Sequence, residues 1–106
     1  MFIYKEFKFN SAHHLPNYNG KCEEVHGHTY KLRVTLEGDV QKDGMILDFK
    51  EIERIVAKGI LEKLDHKDLN TVLDHPTAEN IAVYIYKNLK EKFPKHVSLH
   101  KVKLWE

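Results

Sequence analysis

Tyr30, Leu32, Val34 and Leu36 alternate with Thr29, Lys31, Arg33 and Thr35, and this pattern constrains the fold more than any other in the chain. A period of two over eight residues describes a half-buried antiparallel strand, apolar on one side and polar on the other. Such a strand needs neighbours to pair with and a second layer over its apolar face. Phe2 to Phe9 supplies one neighbour, with Ile3, Phe7 and Phe9 on one parity and Lys5 interrupting it. Val97, Leu99, His100, Val102, Leu104 and Trp105 supply another at the far end of the chain.

The covering layer is helical. Gln41-Lys42-Asp43-Gly44 is turn chemistry, after which Phe49, Ile52, Ile55, Val56, Ile60 and Leu64 recur at helical spacing. Asp48 is placed to cap this helix, with Glu51 three residues on to close a capping box. Gly59 weakens it by about 1 kcal/mol relative to alanine if exposed. Pro76-Thr77 opens a second helix with Thr77 as cap; Ile81, Tyr84 or Ile85, Leu89 and Phe93 form its stripe, and Pro94 stops it. Residues 14 to 25, containing Pro16-Asn17-Tyr18-Asn19-Gly20, read as a loop, and Asp65 to Asn70 as a polar segment between helices. The expectation is an α+β fold with two helices on one face of an antiparallel sheet. Phe2, Tyr4 and Trp105 fall on or near the other face, which a chain this short cannot cover alone, so a second copy is expected there.

With 106 residues, the chain is expected to form one domain, 1–106. Hydrophobic residues at 42% and charged residues at 31% exclude global disorder. A net charge of +1 provides no steering field for nucleic acid. No apolar run reaches 18 residues and no basic-then-apolar leader opens the chain, so neither a membrane span nor a secretory signal is expected. Cys22 is the single cysteine, which forbids an internal disulfide and points to a reducing, cytoplasmic setting. The anomaly is histidine, with eight in the chain.

His26-Gly27-His28 immediately precedes the alternating strand and shares the parity of Tyr30, so both imidazoles leave one face about 6.6 Å apart. Two imidazoles so spaced can converge on one metal ion, and Gly27 leaves room between them. A third ligand must come from elsewhere. His13 or His14 follows the first strand, and His13 shares the parity of Phe7 and Phe9. Three histidines with one open position is the catalytic zinc arrangement. Cys22, between Lys21 and Glu23, lacks apolar neighbours and is a candidate reactive thiol. Asp65-His66 could supply an acid–base group or simply organise a turn. Glu106 shares parity with Val102 and Leu104, and a carboxylate among apolar groups needs a partner or a ligand. His75, His96 and His100 read as surface or packing residues.

Taken together, Ser11-Ala12-His13-His14-Leu15-Pro16, Cys22-Glu23-Glu24-Val25-His26-Gly27-His28, Leu47-Asp48-Phe49, Leu64-Asp65-His66-Lys67-Asp68-Leu69-Asn70, Pro76-Thr77-Ala78-Glu79-Asn80 and Lys103-Leu104-Trp105-Glu106 resemble the 6-pyruvoyl-tetrahydropterin synthase family across the whole chain. The resemblance implies the tunnelling fold: a four-stranded antiparallel sheet with two helices on one face. Three copies of it close a twelve-stranded barrel and two barrels stack as a hexamer. It implies His13, His26 and His28 as zinc ligands, Cys22 as catalytic thiol, and Asp65 with His66 as an acid–base pair contributed across a subunit boundary. It implies that Glu106 grips the pterin ring and Thr77 lines the pterin pocket. Family members usually continue several residues past this glutamate.

Three residues between Cys22 and His26 are similar to the 6-carboxy-5,6,7,8-tetrahydropterin synthases of queuosine and related 7-deazaguanine biosynthesis; the pyruvoyl-forming branch typically has five. The implied activity is a zinc-dependent lyase reaction on 7,8-dihydroneopterin triphosphate, with release of acetaldehyde and triphosphate. Lys21, Lys31 and Arg33 are candidates for holding the triphosphate. The alternatives are the 6-pyruvoyl branch, a branch that uses a glutamate near the cysteine and releases 6-hydroxymethyl-dihydropterin, for which Glu23 and Glu24 are placed, and a non-catalytic zinc- or pterin-binding module.

Overall fold

The computed structural model describes residues 1–13 and 26–106, with the side chains of His13 and His26 left out of that description. Among the described residues four strands, β1 (Phe2–His13), β2 (His26–Gly38), β3 (Lys67–Asp68) and β4 (Val97–Trp105), form one sheet in the order β3-β1-β2-β4. Helices α1 (Phe49–Val56), α2 (Glu62–Leu64) and α3 (Ala78–Leu89) cover one face, so the α+β layering expected from the periodicities is present. No helix among the described residues is long and apolar enough to cross a membrane.

The sheet is mixed, which corrects the expectation of a wholly antiparallel one. β1–β2 and β2–β4 are antiparallel, whereas β3 runs parallel to β1 through Ser11↔Lys67 and Ala12↔Asp68. β3 falls in the segment read as a polar connection. Both its residues are exposed, and only backbone pairing makes it a strand. It ends after two residues because the Asp68 side chain accepts from Asn70 N at 3.0 Å and starts a 3₁₀ turn.

The apolar row of β2 behaves as its alternation requires: Tyr30, Leu32, Val34 and Leu36 are fully buried against Ile52, Val56, Ile60, Ile81, Ile85 and Leu89 of the helical layer. Asp48 caps α1, accepting from Lys50 N at 2.8 Å. Glu51 does not complete the capping box; its carboxylate turns to Arg54 one turn on. Phe49 is exposed rather than part of the buried stripe. Between α1 and α2 the helix widens into a π turn, Ala57–Leu61. Gly59 is buried there: a Cβ would stand 2.9 Å from Leu89 Cδ2, so the residue serves close helix packing rather than weakening an exposed turn. Thr77 caps α3, which ends at Leu89, five residues before Pro94.

β4 contains a bulge. Leu36 pairs with Leu99 but Thr35 pairs with Lys101, leaving His100 as the extra residue. The bulge lets Val97 and Leu99, then Val102 and Leu104, face the same core despite their opposite parity. The uncovered sheet face is aromatic and cationic rather than plainly apolar. Phe2 and Tyr4 are exposed, Arg33 lies 4.3 Å from the Tyr4 ring, and Lys31, Arg33 and Lys103 surround Trp105.

Candidate active site

The site lies at the His13–His26 end of the β1–β2 ladder. Their register pairs Phe9 with Tyr30, Ser11 with His28 and His13 with His26. Directly opposed residues of an antiparallel pair share a face, and alternate residues along a strand do too. Positions 13, 26 and 28 therefore share the face that further along carries Phe9 and Tyr30. Two strand ends thus bring three histidine positions within two residues of one another in the ladder. Three imidazole-bearing positions grouped in this way suit zinc, which takes nitrogen ligands at about 2.0–2.1 Å. Among the described residues no three metal-binding side chains form a cluster. His14 and Cys22 lie outside the described residues, as do the side chains of His13 and His26.

His28 lines a cleft of about 490 Å³ together with Asn10, Ala12, Gly27, Thr29 and His66. Among the described residues, the nearest atom to a Cβ at position 27 would be Ser11 O at 4.0 Å, so the strand is open at this point. On the other side of β1, Asp65 Oδ1 lies 3.0 Å from His66 Nδ1 and accepts from Asn10 N at 2.9 Å. His66 adopts φ +57, a left-handed conformation that costs a non-glycine residue about 1–2 kcal/mol. Its amide offsets part of that cost by donating to Asn10 O at 2.5 Å. Buried Ser11 donates its hydroxyl to Leu64 O just upstream. Strand β1 thus clamps both members of the pair. The Asn10 amide, and secondarily His66, hold the Asp65 carboxyl below its ordinary value. The His66 side chain is 77% exposed.

Glu106 falls beside Tyr30, since Trp105 pairs with Lys31. The fully buried Tyr30 donates to Glu106 Oε1 at 3.4 Å, its ring stacks on Phe9 with centroids 5.0 Å apart, and it meets the His28 ring edge-on at 5.8 Å. Burial, then the Glu106 charge, pushes the Tyr30 hydroxyl well above its ordinary range. Thr77 is elsewhere: its hydroxyl accepts from Asn80 N at 3.2 Å as the α3 cap, and it does not line the His28 cleft. Lys31 and Arg33 stand on the opposite sheet face, both paired with Glu6. His96 packs through Nε2 against Ile46 O at 2.9 Å, and His100 lies 4.5 Å from the Phe2 ring, as packing histidines do.

The sequence profile of 6-pyruvoyl tetrahydropterin synthase matches residues 2–106. The chain belongs to that family. It is 42% identical over 84 residues to a dihydroneopterin monophosphate aldolase of Pyrococcus furiosus, covering 79% of this chain and 72% of the relative. It is 36% identical to a 6-carboxy-5,6,7,8-tetrahydropterin synthase of Haemophilus influenzae, covering 98% of this chain and 91% of that one. The 6-pyruvoyl tetrahydropterin synthase structure from Caenorhabditis elegans superimposes with a TM-score of 0.75 at 25% identity, over 95% of this chain and 94% of the other. The fold is of the tunnelling type, and within the family the chain stands near the 6-carboxy-tetrahydropterin synthase branch.

Sequence reasoning did not single out Asn10, Ser11 or Tyr30 as site residues. Ser11 carried a signal, being a hydroxyl on the inward parity of β1 two residues before His13. Tyr30 carried another: its phenol must find a partner when the ring is buried at the end of an apolar row.

Proposed function

We propose that the chain is a zinc-dependent 6-carboxy-5,6,7,8-tetrahydropterin synthase that converts 7,8-dihydroneopterin triphosphate and one water to 6-carboxytetrahydropterin, releasing acetaldehyde and triphosphate. The observation that carries this reading is the strand register, which groups positions 13, 26 and 28 beside a cleft shared by His28 and His66. The three-residue spacing from Cys22 to His26 and the similarity to the Haemophilus influenzae synthase support the choice of branch.

In this reading His13, His26 and His28 hold the zinc, which when bound supplies Lewis acidity toward the substrate's side-chain hydroxyls. Glu106 binds the pterin ring by its ring nitrogens and exocyclic amine and fixes its orientation. Asp65 accepts from His66 Nδ1, which leaves Nε2 free to take or return a proton at the carbons next to the ring. Cys22 is the second proton-transfer group. Thr77 lines the pocket of an assembled oligomer, and His66, exposed in the single chain, serves a site completed by a neighbouring copy. The assembly is a hexamer of two trimers whose sheets close a barrel; exposed Phe2 and Tyr4, and β4 at the end of the sheet, support this.

A second reading is an enzyme that releases 6-hydroxymethyl-dihydropterin. The 42% identity to the Pyrococcus furiosus aldolase favours it, as do Glu23 and Glu24 beside Cys22. Incubation with 7,8-dihydroneopterin triphosphate and, in parallel, with the monophosphate, followed by mass analysis of the pterin product, separates the two.

A further inference from the structure

We propose that Tyr30 is a positioning residue for the pterin-binding carboxylate, its hydroxyl aiming Glu106 toward the site occupied by the ring. The inference rests on the reading of Glu106 as the pterin anchor. Glu106 is exposed and directly follows the last residue of β4, so the sheet ladder does not fix its side chain. Tyr30, by contrast, is held in place. It is fully buried, stacked on Phe9 at 5.0 Å and 17°, and braced edge-on by His28 at 5.8 Å. Packing on two sides fixes the ring and with it the position of the hydroxyl, which donates to Glu106 Oε1 at 3.4 Å. One oxygen of the carboxylate is thereby engaged by the protein and the other stays available for a guanidine-like edge. The same ring touches His28, so the anchor and the histidine cluster share one rigid support.

The test compares neopterin binding, followed by its fluorescence, in the wild-type protein, Tyr30→Phe, Glu106→Gln and the double variant, with zinc content measured on each. Removing one hydroxyl keeps the stacked ring, so Y30F should fold and hold wild-type zinc. Its neopterin Kd should rise about five- to tenfold, the upper half of the range for an ordinary hydrogen bond, as suits a contact of 3.4 Å. In turnover its KM should rise while kcat stays within about threefold, and in the E106Q background the substitution should add less than about twofold. A Y30F protein that binds like wild type while E106Q binds weakly overturns the positioning role and leaves the anchor reading standing. Unchanged binding by E106Q, or no binding by wild type, overturns the anchor reading and this inference with it. A Y30F chain that fails to fold also overturns the inference, because the hydroxyl would then serve the core.

Discussion

Asp65→Asn isolates charge from shape at the acid–base pair. Asparagine is nearly isosteric, and its Oδ1 can still accept from Asn10 N and face His66 Nδ1, the contacts that stand at 2.9 and 3.0 Å in the wild type. What disappears is the negative charge that stabilises the imidazolium formed when His66 takes a proton. Two unit charges 3 Å apart interact by about 1.4 kcal/mol in bulk water and about 5.5 kcal/mol at an effective dielectric of 20. The exposed pair of the free chain sits near the lower figure, and a site closed by a neighbour and substrate moves toward the upper. The expected fall in single-turnover rate is therefore about 10²–10³, with neopterin binding and zinc content unchanged. Stability should fall as the solution is acidified. Folding lowers the Asp65 carboxyl below 3.8, so under acid conditions the unfolded chain binds its proton more readily. The stability that Asp65 contributes is complete above that value and is lost as pH falls from 3.8 toward the folded value. D65N should lack this part of the acid limb in denaturant titrations at pH 2 to 6. A D65N enzyme within threefold of the wild-type rate would refute the assignment of proton transfer to this pair.

Two other perturbations probe separate parts of the site. Cys22→Ala should retain zinc and fold while its rate drops by about 10²–10⁴, the usual worth of a positioned acid or base; His28→Ala should lose zinc and activity together, and metal analysis beside turnover distinguishes them. Light scattering at micromolar concentration should return a hexamer, six times the 12.5 kDa chain; a stable monomer would remove the cross-subunit role of Asp65 and His66.

Much of this architecture is written in local patterns. The Tyr30–Leu36 alternation, the Asp48 and Thr77 caps and the Ile81–Ile85–Leu89 stripe are each set by near neighbours, and each is where periodicity puts it. Parity also carried His13, His26 and His28 to neighbouring ladder positions, because a regular antiparallel pair transmits it without slippage. What escaped depends on partners distant in sequence. Lys67–Asp68 becomes a strand only because β1 presents backbone groups there, and Glu51 prefers Arg54 to the helix start. The parity change from Val97–Leu99 to Val102–Leu104 was visible as residues, but only the β2 register shows that a bulge at His100 reconciles it. The clamp of Asn10 and Ser11 on Leu64, Asp65 and His66 spans more than fifty residues and leaves no local trace.

The central claim, a 6-carboxy-tetrahydropterin synthase, is tested most directly by the product that the zinc-loaded protein forms from 7,8-dihydroneopterin triphosphate. Mass spectrometry of the quenched reaction should show 6-carboxytetrahydropterin together with equimolar acetaldehyde and triphosphate. A reaction yielding 6-hydroxymethyl-dihydropterin, or one leaving the substrate intact, would contradict it.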